Sequence, residues 1–91
     1  MPKNILTVNH EAGLHARPLS RFVKTANEFD AEVQVKNITG GKGPVNGASP
    51  LNLLLLAVLN GHEIEIETSG NQADELLSAL EELIISNFGE Q

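Results

Sequence analysis

A histidine and an arginine stand two residues apart in the stretch 13–18, which reads Gly-Leu-His-Ala-Arg-Pro. Glycine permits a tight turn, and proline is tolerated in the first turn of a helix, so a helix is predicted to begin here. His15 would then lie where a loop becomes a helix, next to backbone N–H groups that have no partner within the helix. With the permanent cation Arg17 beside it, the stretch predicts a site for an anion.

His15 has the chemistry to accept a phosphoryl group. A neutral imidazole ring carries a nucleophilic nitrogen near neutral pH, where a lysine side chain is protonated. The backbone amides of Ala16 and Arg17, together with the Arg17 guanidinium, could stabilise the transferred charge. The chain has no glycine-rich nucleotide-binding loop and no spaced aspartate pair for magnesium. We therefore expect another protein, rather than ATP, to supply the phosphoryl group.

The residues that follow predict an amphipathic helix from about Ala16 to about Glu28. Its apolar side would consist of Pro18, Leu19, Phe22, Val23, Ala26 and Phe29. The opposite side would carry a solvent-facing basic stripe that begins next to His15 and consists of Arg17, Arg21 and Lys24. Two plainer interpretations stay open: His15 as a capping or buried histidine without a role, and the stripe as an ordinary solvated helix face.

Strands and two further helices are predicted to position this stretch. Alternating or β-branched residues predict strands at 5–8, 31–36, about 42–45 and 63–67. A second helix should begin with Ser49 as its N-cap and Pro50 as its first residue. It should continue to Asn60-Gly61, leaving some leucines of the apolar run 53–59 exposed. Asn71 should cap a third helix with Asp74 at its third position, and that helix should bury Ala73, Leu76, Leu77, Leu80, Leu83 or Ile84, and Phe88.

The element order β-α-β-β-α-β-α predicts a single domain over residues 1–91. Two clearly alternating strands indicate a mostly antiparallel sheet with one face in water. Amphipathic helices can cover the other face, which gives an α+β, two-layer open-faced sandwich.

Composition narrows the class of function. The 91 residues carry a net charge of −6, contain no cysteine, and hold all six lysines and arginines before residue 46. An acidic chain with few aromatics argues against nucleic-acid binding, and no apolar run is long enough to cross a bilayer. We expect a cytoplasmic protein without a cofactor. A metal site at His10, Glu11 and His15 is not supported by their spacing, and His62 is predicted to be an ordinary surface residue.

Residues 13–18 resemble the active-site signature of the HPr family, the histidine-containing phosphocarriers of the phosphoenolpyruvate-dependent sugar phosphotransferase system. The resemblance extends over the chain, through the strand at 31–36, the serine-capped helix at Ser49, the Gly-His-Glu-Ile stretch at 61–64 and the final amphipathic helix. It implies a four-stranded antiparallel sheet covered on one face by three helices.

The resemblance also implies roles for particular residues. His15 would take a phosphoryl group from enzyme I on its Nδ1 atom and pass it to a sugar-specific IIA domain, and Arg17 would neutralise that group. Docking of both partners would involve Ser20, Arg21, Lys24, Leu51 and Leu54. The protein would be a monomer and a carrier of phosphoryl groups rather than a conventional turnover enzyme.

Ser49 matches a position that a regulatory kinase phosphorylates in some relatives, so a serine kinase or phosphorylase is a further expected partner. Pro50 and Asn52 differ from the residues usual in those relatives. Ser49 could therefore serve only as a helix N-cap. Two other functions stay open: a regulatory paralogue of the nitrogen-related phosphotransferase branch, and an interaction module that does not transfer phosphate.

Overall fold

Four antiparallel strands and three helices form the fold in the computed structural model, which describes residues 1–89. The strands lie in the order β1-β4-β2-β3. Together with helices that pack on the sheet, they confirm the predicted two-layer α+β sandwich. In the described part of the chain, no helix is long and apolar enough to cross a membrane. The elements are β1 (Lys3–Thr7), α1 (Ala16–Ala26), β2 (Glu32–Asn37), β3 (Lys42–Asn46), α2 (Pro50–Leu55), β4 (Glu63–Ser69) and α3 (Ala73–Ile85), followed by a 3₁₀ turn at Asn87–Gly89.

The two central strands, β2 and β4, alternate as predicted. Val33 and Val35 of β2, and Ile64 and Ile66 of β4, are buried under the helices, while their neighbours along each strand are more exposed. Burial of one side chain in two is what a sheet with one covered face requires. The edge strand β1 begins earlier than the predicted residue 5, because Lys3 already pairs with β4.

The first and third helices bury the predicted apolar faces. In α1 the buried residues are Pro18, Leu19, Phe22 and Ala26. In α3 they are Ala73, Leu76, Leu77, Leu80 and Ile84. The first helix ends at Ala26 rather than near Glu28, where Asn27 caps it with backbone bonds to the last turn and its side chain donates to the Val23 carbonyl.

The second helix is shorter than the prediction. It ends at Leu55 with Leu56 as its C-cap, and the next residue, Ala57, has a left-handed backbone with φ 52°. A residue with positive φ cannot continue a right-handed helix. The run of leucines did not reveal this end, because a continuous apolar stretch has no polar face to mark a change of direction. Leu54, Leu55 and Leu59 are exposed, as expected for some leucines of this run.

The prediction that Asn71 caps the third helix is wrong. The N-cap is Gln72, and its side chain makes no capping bond to the helix. Asn71 instead donates a hydrogen bond from Nδ2 to the Asp30 carboxylate, at 2.9 Å. The tertiary structure places the Asp30 carboxylate next to Asn71, and the Asn71 side chain bonds to it instead of capping the helix. Sequence spacing does not indicate such a distant partner.

Candidate functional site

His15 lies at the junction that the sequence predicts. It is the N-cap of α1, with an extended backbone (φ −132°, ψ 171°), and its side chain makes no capping hydrogen bond. The backbone turns just before it at Gly13, whose φ is +64°. The imidazole is half-buried. A ring that is partly exposed and does not cap its helix is available to react with a group brought from outside.

The residue after His15 holds a strained backbone conformation. Ala16 has a φ of 51°, which lies in the left-handed region that alanine rarely adopts. Such a conformation costs roughly 1–2 kcal/mol for an L-residue with a Cβ atom. Strained residues concentrate at functional sites, where the surrounding structure holds them in place. Ala16 is one of four non-glycine residues with positive φ within residues 1–89, and it is the one that lies next to His15.

The basic residues of α1 differ in their surroundings. Arg17, Ser20 and Lys24 are exposed. Arg21 was predicted to face solvent, but it is half-buried and its Nη1 donates to the carbonyl oxygen of Phe88 in the C-terminal turn. The guanidinium of Arg21 therefore helps to attach this turn to α1, while Lys24 has no such structural bond among those the structure describes.

The residues predicted for docking on α2 are its second and fifth residues. Leu51 is 68% exposed and Leu54 is 46% exposed, and α2 packs beside α1. The sequence did not single out Leu55 and Leu59, which are 63% and 54% exposed and enlarge the apolar surface. Large exposed leucines on one short segment are typical of surfaces that contact other proteins.

Ser49 occupies the predicted N-cap of α2. Its side chain oxygen accepts a hydrogen bond from the Asn52 amide at 3.4 Å, and Pro50 follows as the first helical residue. This arrangement supports the interpretation of Ser49 as a helix cap. Phosphorylation of Ser49 stays a prediction, and its phosphate would lie at the end of the exposed leucine surface.

His10 and Glu11 are not arranged as ligands for a metal ion. The His10 Nδ1 accepts a hydrogen bond from the Ala12 amide at 3.0 Å, and its ring meets the Phe88 ring edge-on with centroids 6.0 Å apart. Within residues 1–89, no three histidine, aspartate or glutamate side chains come together as a metal site needs. His10 instead shapes the loop that leads to His15.

Three grooves on the protein surface do not include His15 among their lining residues. Three surface grooves of about 300, 350 and 380 Å³ are lined by other residues, and two of them run along the α1 and α3 helices. A small substrate is usually surrounded by a concave pocket. A histidine outside these three grooves suits a group that arrives on the surface of another protein.

His62 differs from the prediction of an ordinary surface residue. It is half-buried, and its Nδ1 accepts a hydrogen bond from the Leu59 amide and contacts the Asn37 side chain, both at 3.2 Å. The sequence carries no signal for this contact, because 25 residues separate Asn37 from His62.

The chain matches known phosphocarriers over nearly its whole length. The family model described as the PTS HPr component phosphorylation site matches residues 2–86. The phosphocarrier protein HPr of Neisseria meningitidis serogroup A is 40% identical over 90 residues, which make up 99% of this chain and 98% of that protein. The phosphocarrier protein NPr of Escherichia coli K12 is 35% identical over 88 residues, 97% of this chain and 96% of that protein.

A longer relative and a solved structure agree with this match. The multiphosphoryl transfer protein of Salmonella typhimurium is 36% identical over 83 residues, which are 91% of this chain but 22% of that protein. The crystal structure of HPr-C-His from Thermoanaerobacter tengcongensis has a TM-score of 0.93 at 32% identity, and the match covers 100% of this chain and 99% of that chain. The chain therefore belongs to the HPr family of phosphocarrier proteins of the phosphotransferase system.

Proposed function

We propose that this protein carries a phosphoryl group on His15, taking it from phospho-enzyme I and giving it to a IIA domain in sugar uptake. The observation that carries the proposal is the position of His15: partly exposed, not engaged in capping, and at the N-terminus of an eleven-residue helix. The positive end of the helix dipole and the exposed Arg17 favour a negatively charged group at this place.

The transfer step follows from the chemistry of the imidazole ring. The lone pair of a His15 ring nitrogen attacks phosphorus while the bond between phosphorus and the donor atom of enzyme I breaks. The electron pair of the broken bond stays on the donor atom, so an N–P bond on His15 replaces the bond on enzyme I. Delivery to a IIA domain is a second exchange of the same kind, in which His15 is the donor. Such a reaction requires mainly positioning and stabilisation of charge, which a small domain without a nucleotide site can supply.

The test is phosphorylation of the intact protein by enzyme I and phosphoenolpyruvate. We expect the mass of the protein to increase by one phosphoryl group, and the modification to be lost in acid but kept in base, as for a phosphohistidine. A mass that stays unchanged with active enzyme I would contradict the proposal and favour an interaction module without transfer. An acid-stable modification would point to a serine or threonine instead.

A nitrogen-branch carrier is the second candidate, because the NPr of Escherichia coli is nearly as similar to this chain as the Neisseria HPr. The two candidates differ in which enzyme I phosphorylates the chain faster. Parallel reactions with a sugar-branch and a nitrogen-branch enzyme I, at equal concentrations, distinguish them. Faster labelling by the nitrogen-branch enzyme would replace the sugar-uptake role while leaving the phosphocarrier role intact.

Charge reversal at Lys24 is expected to slow association with enzyme I. The Lys24→Glu variant should accept phosphate several-fold more slowly at low salt, and the difference should shrink as salt screens the charges. Lys24 is preferred to Arg21 for this experiment because Arg21 also donates to the Phe88 carbonyl. The measurement is the transfer rate from phospho-enzyme I at several ionic strengths.

Lys3→Glu provides the matched control for this charge reversal. Lys3 begins β1 at the end of the sheet away from the loop that leads to His15, and it is also exposed. The two variants have the same net charge. Equal rates for the two variants at every ionic strength would show that Lys24 has no local role in docking.

A further inference from the structure

A fully buried side-chain amide lies at the end of β2. Asn37 is 0% exposed, and its Nδ2 donates to the Leu56 carbonyl at 2.9 Å while its Oδ1 accepts from the Gly40 amide at 3.0 Å. Burial of an amide is costly unless its polar atoms find partners, so this position is specified by the contacts it makes. Its third contact is the Nδ1 atom of His62, at 3.2 Å.

The hydrogen bonds around His62 define which ring nitrogen carries the proton. The Leu59 amide can only donate, so the His62 Nδ1 that accepts from it holds no proton. The Asn37 Nδ2 is the donor in the second contact, because its Oδ1 is engaged by the Gly40 amide. The single lone pair of the His62 Nδ1 is thus shared between two N–H donors, an arrangement that requires a ring without a proton on Nδ1.

The side chains of Asn37 and His62 hold residues 56–62 in place. We call these residues the bridging segment. Asn37 bonds to its first residue, Leu56, and His62 at its other end bonds back to Leu59. The segment has left-handed residues at Ala57 and Gly61 and lies outside regular secondary structure. Its conformation is therefore not maintained by a helix or a sheet ladder. The Asn37 and His62 side chains act together with single backbone bonds, such as that from the His62 amide to the Leu59 carbonyl.

The other side of the bridging segment contacts the loop that carries His15. The Leu14 amide donates to the Val58 carbonyl at 3.0 Å, and both side chains are fully buried. The Gly61 amide donates to the Val8 carbonyl at 2.7 Å, where that loop begins. Leu14 is directly followed by His15, so a shift of the bridging segment would reach the reactive ring through one peptide unit.

We propose that Asn37 and His62 are positioning residues for phosphoryl transfer, which act on His15 through the bridging segment. The inference rests on the proposed function of His15 and adds the residues that set the place of its ring. Within residues 1–89, no hydrogen bond joins Asn37 or His62 to the His15 ring. A displacement of a reacting group by about 1 Å can reduce a rate by roughly a hundredfold, so support of this kind has a measurable effect.

Two substitutions at His62 separate the hydrogen bond from the mere presence of a polar side chain. In His62→Asn the side-chain oxygen takes the place of Nδ1 and can still accept from the Leu59 amide. In His62→Gln the oxygen lies one methylene further out, near the place of Nε2, and that bond is lost. We expect single-turnover transfer from phospho-enzyme I to be about tenfold slower for His62→Gln and within about threefold of the original protein for His62→Asn.

Thr68→Val is the matched control for the loss of a buried hydrogen bond. Thr68 is also 0% exposed and lies near the other end of β4, where its Oγ1 donates to the Ala73 carbonyl at 2.7 Å. Removal of this bond should lower stability without slowing transfer by more than about twofold. Nuclear magnetic resonance of the Leu14 and His15 amides provides a second measurement, and these signals should move in His62→Gln but not in Thr68→Val.

The inference would be overturned if the transfer rates of His62→Gln and His62→Asn differ by less than threefold and the Leu14 and His15 amide signals do not move in His62→Gln. If His62→Gln does not fold, His62→Phe takes its place under the same criteria, because it keeps a ring and lacks the acceptor. If even the original protein is not phosphorylated, the proposed function of His15 fails. The amide signals then still decide whether His62 positions the loop.

Discussion

Replacement of His15 by alanine is expected to abolish phosphorylation by enzyme I while the fold stays intact. In the proposed transfer the imidazole supplies the nucleophile. No other group at the turn can replace it, since a guanidinium is a permanent cation and Ala16 contributes only backbone. The His15 side chain makes no capping bond to α1, so its removal should change the free energy of unfolding by less than about 1 kcal/mol. Mass spectrometry and denaturant unfolding measure the two effects separately.

The other two histidines of the chain are the matched controls for His15→Ala. His10→Asn and His62→Asn both keep an oxygen where the ring's Nδ1 accepts a backbone bond, so both loops should be preserved. Each control variant should still gain an acid-labile phosphoryl group. A label that persists in His15→Ala, or that disappears in His10→Asn alone, would move the acceptor site away from His15.

Substitution of Gly13 by alanine is expected to lower the free energy of unfolding by about 3 kcal/mol. Its φ of +64° costs an alanine roughly 1–2 kcal/mol. A Cβ atom here would also lie 2.8 Å from the Leu59 Cα and closer still to the Val58 carbonyl oxygen. Because these are backbone atoms, the overlap can be relieved only by moving the chain, at a further cost of roughly 1–3 kcal/mol. Urea unfolding gives the value.

Gly41→Ala separates the two contributions at Gly13. Gly41 has nearly the same φ, +67°, but a Cβ atom added there meets nothing within 4 Å. This variant should lose only the conformational part of the free energy of unfolding, roughly 1–2 kcal/mol. Equal losses in the two variants would mean that the close approach of Gly13 to residues 58 and 59 contributes nothing to stability.

Periodicity predicted most of the fold correctly, because one covered sheet face and two amphipathic helices leave a repeating pattern in the sequence. The alternation at residues 63–67 identified β4, and the buried positions of α1 and α3 followed the helical spacing. The errors occur where the sequence pattern carries no information about the structure. The apolar run 53–59 hid the end of α2 at Leu55, and a carboxylate from a distant loop took the Asn71 side chain away from its predicted cap.

The turn and helix start around His15 could be predicted because the residues that form them are contiguous. Residue type and order from Gly13 to Pro18 indicate a turn and a helix start, which follow from local backbone preference. They also indicate a nucleophile and a cation, which follow from side-chain chemistry. The partner of Arg21 could not be predicted, since Phe88 lies 67 residues away. The Phe88 carbonyl comes within reach of the Arg21 guanidinium only in the folded chain, and this contact leaves no periodic signal in the sequence.

The sequence by itself determined the class of fold, the position of His15 at a helix start and the chemistry that this position permits. These features depend on interactions between residues a few positions apart, for which sequence spacing is a sufficient description. Only the tertiary structure decided what holds the loop that carries His15. The bonds from Asn37 to Leu56 and His62, and from Leu14 to Val58, join segments that meet only when the sheet and helices pack together.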